Sequence, residues 1–293
     1  MNLTLRQIAV FVTTAKLKGV TRAAAELSIT QSAASQSLKE LESILGYQVF
    51  NRIGRELWLN DHGRDILPKA VKMLDLQEQL QNANVGQLVG ELAVAASVTI
   101  GCYILPQILA DFTHRYPLVK PKLYISNSAK VIERLNQGQA HVGFIEAPML
   151  HDVLTISAWR DDHLSVFCAS DYPLAKQTKL TASNIAKQRW ILREAGSGTR
   201  SVFISAIQQQ NIMLTKSIDL AREEAIKQMV KAKMGVGVLS HLSIAQEVEF
   251  GLFKTLTTPL NLHRQLSIVQ APPYVDHHLV NCFVDFIRAS NQS

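Results

Sequence analysis

The chain has 293 residues, more than one typical domain and enough to bury two or three cores. Hydrophobic residues make up 47% and charged residues 18%, with no low-complexity tract, which argues against long disordered segments. A net charge of +6 permits a nucleic-acid partner without requiring one. Cys102, Cys168 and Cys282 are odd in number, widely spaced and without a C-x-x-C pair, so they read as reduced, buried thiols rather than a disulfide framework or a zinc site. The N-terminal stretch lacks the basic n-region of a signal peptide and forms a better amphipathic helix. No uncharged run reaches membrane-spanning length, and a cytoplasmic location is expected, with no membrane partner.

In chain order, Leu5, Ile8, Ala9, Val12 and Ala15 recur with helical spacing, and Gly19 is expected to end that helix. Thr21 reads as the N-cap of a short second helix whose Ala23, Ala24 and Ala25 allow close helix packing. Ser28 and Ile29 then connect to a third helix over 30–46, capped by Thr30 and closed by Gly46. Its Ala34, Leu38, Leu41 and Leu45 form one apolar stripe. Gln31, Ser32, Ser35, Gln36, Lys39 and Ser43 fill the opposite face. Solvated helix faces are usually rich in Glu and Lys. Small amides and hydroxyls near a helix N-terminus instead suit base edges and phosphates in a DNA major groove. A Ser- and Gln-rich surface helix would look the same in isolation, so the neighbours decide. Two short helices joined by a tight turn fit a helix-turn-helix. YQVFNR and RELWLN read as two strands of a small wing, with Arg52 and Arg55 at its tip placed to reach phosphates or a minor groove.

From the Asn60 cap, Ile66, Ala70, Met73, Leu76 or Gln77, and Leu80 give a narrow apolar seam along roughly 25 residues, about 37 Å of helix. A long helix with such a seam wants a partner helix, and Pro68 within it is expected to kink it. The remaining chain alternates strands and helices in two series, the pattern of a parallel α/β sheet, here as two lobes around a cleft. The segment IGCYILPQILADFTHRY reads as one helix. Ligands of such sheets bind beyond the carboxyl ends of strands. Ser97, Val98 and Thr99 lie at one such place, and Gly196, Ser197, Gly198 and Thr199 at another. Two helix starts converging on one cleft favour an anion, with Arg193, Arg200 and Glu146 as tuning charges. His141, His151, His163, His241, His263, His277 and His278 have no metal-ligand spacing and read as surface or capping residues. No catalytic triad, G-x-S-x-G elbow, GxGxxG or Walker loop is present, so no catalytic residue is assigned.

The segments TRAAAEL, TQSAASQSLKELESILGYQVFNR and LNDHGRDILP, followed by two α/β lobes, resemble the LysR-type transcriptional regulator family along essentially the whole chain. The resemblance implies a winged helix-turn-helix over 1–60, a linker and dimerisation helix over 61–88, and an effector-binding domain over 89–293. That domain would be like the periplasmic binding proteins, with one lobe over about 89–161 and 267–293 and the other over about 162–266. It implies a homodimer or homotetramer on double-stranded promoter DNA, a contact with RNA polymerase, no cofactor, and a small-molecule effector. The DNA-facing positions carry over to Thr30, Gln31, Ser32, Ser35, Gln36, Lys39, Arg52 and Arg55. Gln36 stands where members often have Arg, which points to an adenine rather than a guanine contact. Asn60 replaces a commoner Thr and keeps the capping chemistry. The GSGTR segment is similar to that of members concerned with sulfur assimilation or carbon fixation, which fits an oxyanion or carboxylate effector. The competing expectation is a two-lobed small-molecule-binding protein or enzyme whose N-terminal helices serve only dimerisation.

Overall fold

The computed structural model describes residues 2–82, 88–146, 153–177 and 179–290. Three helices open the chain: α1 (Leu5–Leu17), α2 (Val20–Glu26) and α3 (Gln31–Leu45). Thr4 caps α1 through a reciprocal capping box with Gln7, and the helix buries Ile8, Val10, Phe11, Thr14 and Ala15. That inward face is rotated from the expected one, because Leu5 is exposed while Val10 and Phe11 are buried. Gly19 does not end α1. Lys18 does so in a left-handed conformation, and Gly19, in extended backbone, starts α2. Thr21 therefore lies inside α2 rather than capping it. The third helix agrees with expectation: Thr30 Oγ1 accepts from the Ala33 N–H, Ala34, Leu38 and Leu41 are buried, and Gly46 closes it at φ +79°.

Strands β1 (Phe50–Ile53) and β2 (Glu56–Leu59) form the antiparallel wing. Asn60 then caps α4 (Asp61–Asn82), accepting from the Gly63 N–H at 2.9 Å while its own amide donates to the Gln48 carbonyl at 2.8 Å. The helix contains Pro68. Residues 83–87, the end of the expected linker helix, lie outside the described residues, as does His151. The expected seam divides into two faces. Ala70, with Leu67 and Val71, is buried against the chain's own core, whereas Met73, Leu76 and Leu80 are 42, 50 and 79% exposed.

Among the described residues the rest of the chain builds one nine-stranded sheet in two lobes. The first lobe carries β3 (Gly90–Ser97), α5 (Val98–Tyr103), α6 (Leu105–Arg115), β4 (Val119–Ser126), α7 (Ser128–Asn136) and β5 (Val142–Ile145). Strand β3 pairs parallel with both β4 and β5. The single helix expected after β3 is broken at Ile104, because Pro106 has no N–H to donate and its ring would meet the carbonyl one turn back. The long strand β6 (Thr155–Ala169) leads into α8 (Ala182–Lys187), β7 (Arg189–Arg193), α9 (Gly198–Gln209), β8 (Lys216–Leu220), α10 (Glu223–Lys231), β9 (Val236–Ser240), α11 (His241–Glu249) and β10 (Phe253–Leu256). Then β11 (His263–Gln270) returns to pair with β5, and α12 (His278–Ser290) packs on the first lobe. Strands β6 and β11 run antiparallel through both lobes and put Asp162 directly opposite Arg264. In the second lobe the period-two alternation sorts two cores, with Trp190 and Leu192 facing one side of the sheet and Ile191 the other.

Two expectations about side chains change. Cys168 is buried, but Cys102 is exposed and Cys282 partly so. His141 and His277 are packed rather than superficial, their rings 5.8 Å apart beside Tyr274. His141 Nδ1 accepts from the Ala93 N–H at 3.2 Å, which requires the neutral ring, and burial with the nearby His277 pushes its pKa down to about 3. The folded value lies below the unfolded one near 6.5, so the unfolded chain takes up this proton first. The stabilising contribution is complete above about pH 6.5 and is lost as the pH falls toward about 3, by up to roughly 1.4 kcal/mol per pH unit. The variant His141→Asn keeps an acceptor for Ala93 without the titration. In urea unfolding at pH 7, 6 and 5 the gap between wild type and His141→Asn should close as the pH falls; a constant gap would refute this.

Candidate functional site

Two sites emerge, one on the helix-turn-helix and one between the lobes. On the first, Gln31, Ser32, Gln36 and Lys39 are exposed along α3 and Ser35 is half-buried beside them. The polar side chains brace each other. Gln31 Nε2 donates to Ser35 Oγ at 3.0 Å, Thr30 and Ser32 hydroxyls meet at 3.1 Å, and Gln36 Nε2 donates to Glu40 Oε1 at 3.0 Å. Glu40 also accepts from Gln7 at 2.9 Å, and the two amides hold its carboxyl below the usual carboxylate range. Arg52 lies in β1 and Arg55 in the turn after Gly54, both exposed. A groove lined by Thr21, Arg22, Gln31, Ser35, Arg52 and Arg55 separates α2 and α3 from the wing. Sequence reasoning missed Arg22, whose guanidinium lies 3.6 Å from Glu56 on the wing and is largely exposed. Moving the start of α2 back to Val20 is what turns Thr21 and Arg22 outward.

The second site is a buried polar network. Glu146, just after β5, is 1% exposed; its Oε1 accepts from the Thr99 N–H at 3.1 Å and its Oε2 from Thr199 Oγ1 at 3.3 Å. Arg264 Nη1 lies 3.3 Å from the same Oε2. That guanidinium is the hub: it donates to Thr199 Oγ1 at 3.0 Å and Thr99 Oγ1 at 3.3 Å, and its Nε and Nη2 grip Asp162 at 2.7 and 2.6 Å. Thr99 in turn donates to Glu223 Oε1 at 3.3 Å, which also receives Arg193 Nη1 at 3.3 Å. Each threonine hydroxyl thus accepts from Arg264 and donates to a carboxylate, one from each lobe. Burial alone would raise the pKa of Glu146, but Arg264 and the donor hydrogen bonds outweigh it and keep the group ionised. Glu223 goes the other way, pushed up by burial and by Glu146 against the pull of Arg193.

The expected residues are therefore mostly brought together. Ser97, Thr99 and Glu146 come from the first lobe, and Ser197, Gly198 and Thr199 from the second. Gly198 is needed for the approach: a Cβ there would lie 2.9 Å from Glu146 Cβ and 3.0 Å from Ser128 Oγ. Gly196, in a left-handed conformation at φ +86°, offers its carbonyl to the Ala129 N–H across the lobes at 3.2 Å. Val98 is half-buried and starts α5 between Ser97 and Thr99. Arg200 turns away, bound to the Arg193 carbonyl and to Asp219, and Arg193 is engaged by Glu194 and Glu223. The first helix start also differs from expectation, since α5 has only six residues and its Thr99 N–H already has a partner. Arg264, Asp162, Glu223 and Ser128 escaped sequence reasoning. Only the register of β6 against β11 makes Arg264 part of this site.

Residues 5–64 match the family model for the bacterial regulatory helix-turn-helix protein of the lysR family, and residues 86–292 match the LysR substrate binding domain. The chain belongs to the LysR family. It is a DNA-binding transcriptional regulator with an effector-binding domain, not an enzyme, and the competing reading of a two-lobed enzyme falls with the first of these matches. This LysR-type regulator is 35% identical to the uncharacterized HTH-type transcriptional regulator YeiE of Escherichia coli K12, with 99% of each chain covered. Its fold is similar to a full-length OxyR variant from Pseudomonas aeruginosa (TM-score 0.76, 21% identity, 98% of this chain and 95% of that one). It is also similar to the CcmR regulatory domain of Synechocystis, solved in complex with 2-PG (TM-score 0.64, 23% identity, 70% of this chain and 98% of that one). Among the described residues no helix is long and apolar enough to cross a membrane.

Proposed function

We propose that this LysR-type regulator reads a two-fold DNA site with paired α3 helices, and that a small oxyanion or carboxylate held between its lobes tunes that binding. The observation that carries the effector reading is a buried set that already holds a carboxylate, the Thr99 N–H, the Thr199 hydroxyl and Arg264, with the hydroxyls of Ser128 and Ser197 buried and lacking partners. Buried hydroxyls are rarely left unpaired, and an oxyanion supplies acceptors for several at once. The binding of 2-PG by the CcmR domain and of shikimate by the QuiR domain is compatible with a small polar effector in this fold. The site residues are then Ser97, Val98, Thr99, Gly196, Ser197, Gly198 and Thr199, with Glu146 as their charged neighbour.

On the DNA side, Thr30, Gln31, Ser32, Ser35 and Gln36 meet bases and adjoining phosphates, while Lys39, Arg52 and Arg55 hold phosphates. The exposed row Met73, Leu76 and Leu80 on α4 supplies an apolar seam for a second α4, giving the dimer that a two-fold site requires and a base for a tetramer. Closure of the lobes would alter the spacing of the α3 helices and hence DNA bending, with contact to RNA polymerase downstream, all in the cytoplasm.

The test is fluorescence anisotropy on the chain's own upstream DNA, with calorimetric titration of sulfate, sulfite, phosphate and common carboxylates. A specific complex whose affinity shifts with one of these anions is expected. An exclusive response to a neutral or cationic ligand would overturn the effector reading, and no specific complex at moderate salt would overturn the operator reading. In the same assay Gln36→Ala should cost about 1–3 kcal/mol on the specific site and leave random DNA unaffected. Equal loss on both would remove Gln36 as a base reader.

A further inference from the structure

We propose that Glu146 is an internal ligand: its side-chain carboxylate occupies the anion cradle between the lobes, and an effector anion binds by exchange with it. The inference rests on the anion reading above and concerns how that site is regulated.

The carboxylate of Glu146 holds one backbone N–H, one hydroxyl and one guanidinium, from Thr99, Thr199 and Arg264. Such a mixed set is what a free carboxylate or one face of a tetrahedral oxyanion asks of a protein. The donors come from both sides of the cleft, so Glu146 joins the lobes as a bound anion would. Its fit is loose. The Thr199 hydroxyl and the Arg264 guanidinium both lie 3.3 Å away, whereas charge-assisted bonds settle at roughly 2.5–2.7 Å from a hydroxyl and 2.7–2.9 Å from a charged nitrogen. A side chain tethered at its Cα cannot optimise every donor together, but a free anion can. Unused capacity is visible as well: the hydroxyls of Ser128 and Ser197 are buried without partners. The space next to Gly198 is filled by the Glu146 stem, which leaves no room there for a second anion. A further anion beside Glu146 would add to the repulsion that Glu146 already exerts on Glu223. Exchange therefore follows, not addition.

An ordinary structural salt bridge makes different predictions, and two variants of the full chain separate them. Glu146→Gln keeps the shape and removes the charge, so sulfate measured by calorimetry at fixed ionic strength should bind at least ten-fold more tightly than to wild type. Glu146→Ala leaves a carboxylate-sized vacancy, so acetate should raise its thermal midpoint by several degrees while barely moving wild type. If Glu146→Ala is unfolded alone, recovery of folded protein in acetate is the same supporting result. Sulfate binding to Glu146→Gln that is equal to or weaker than wild type, or no acetate effect on Glu146→Ala, overturns the internal-ligand proposal while leaving wild-type anion binding intact. If no form binds any anion and wild type answers only to neutral or cationic ligands, the effector reading fails and this proposal with it.

Discussion

Arg264→Met is expected to destabilise the effector-binding domain by about 3–5 kcal/mol, the loss that follows when a buried pair is broken by removing one partner. The variant leaves the Glu146 and Asp162 carboxylates buried without the guanidinium that pairs them, and it takes away the donor from which Thr99 and Thr199 both accept. Urea unfolding followed by the fluorescence of Trp190, which is buried in the second lobe, reads this directly. The triple variant Arg264→Met, Glu146→Gln, Asp162→Asn removes the orphaned charges too and should recover most of the loss. A loss below about 1 kcal/mol for the single variant would show that the network does not hold the lobes.

The second large effect concerns DNA. Replacing Arg22, Arg52 and Arg55 together by Ala should flatten the dependence of log affinity on log salt by about 2.7, at about 0.9 per phosphate contact. Between 50 and 200 mM salt that slope change corresponds to about a 40-fold smaller weakening than wild type shows. Specific and random DNA should be affected alike, since phosphate contacts carry no sequence. An unchanged slope would mean that these guanidinium groups do not reach the backbone. All three line one groove with Gln31 and Ser35, so the experiment also asks whether the wing and α3 grip the same duplex.

Individual elements show why some features are legible in the sequence and others are not. The third helix is legible because its cap, apolar stripe and closing glycine are all local signals that agree. A competing local signal hides the start of α2: Thr21 is a good cap, but the left-handed turn at Lys18 commits the chain to helix two residues earlier. The break at Ile104 is written in Pro106, yet the flanking apolar period masks it. Strand β10 and helix α11 escape a sequence reading because their short segments acquire their state from pairing with β6 and packing on α5.

What the sequence determined by itself is the order of parts: a polar-faced recognition helix, a wing with two arginines, a long helix with an apolar row, and two α/β lobes with small hydroxyl residues at strand ends. These follow from periodicities and caps, which act over a few residues. Tertiary structure alone decided how the cleft is charged. Arg264 is far along the chain from Thr99, Glu146 and Thr199, and only the pairing of β11 with β6 and β5 carries its guanidinium between the lobes. Once there, its buried N–H groups require acceptors from both lobes. That requirement, rather than any local pattern, places the Glu146 carboxylate in the cradle.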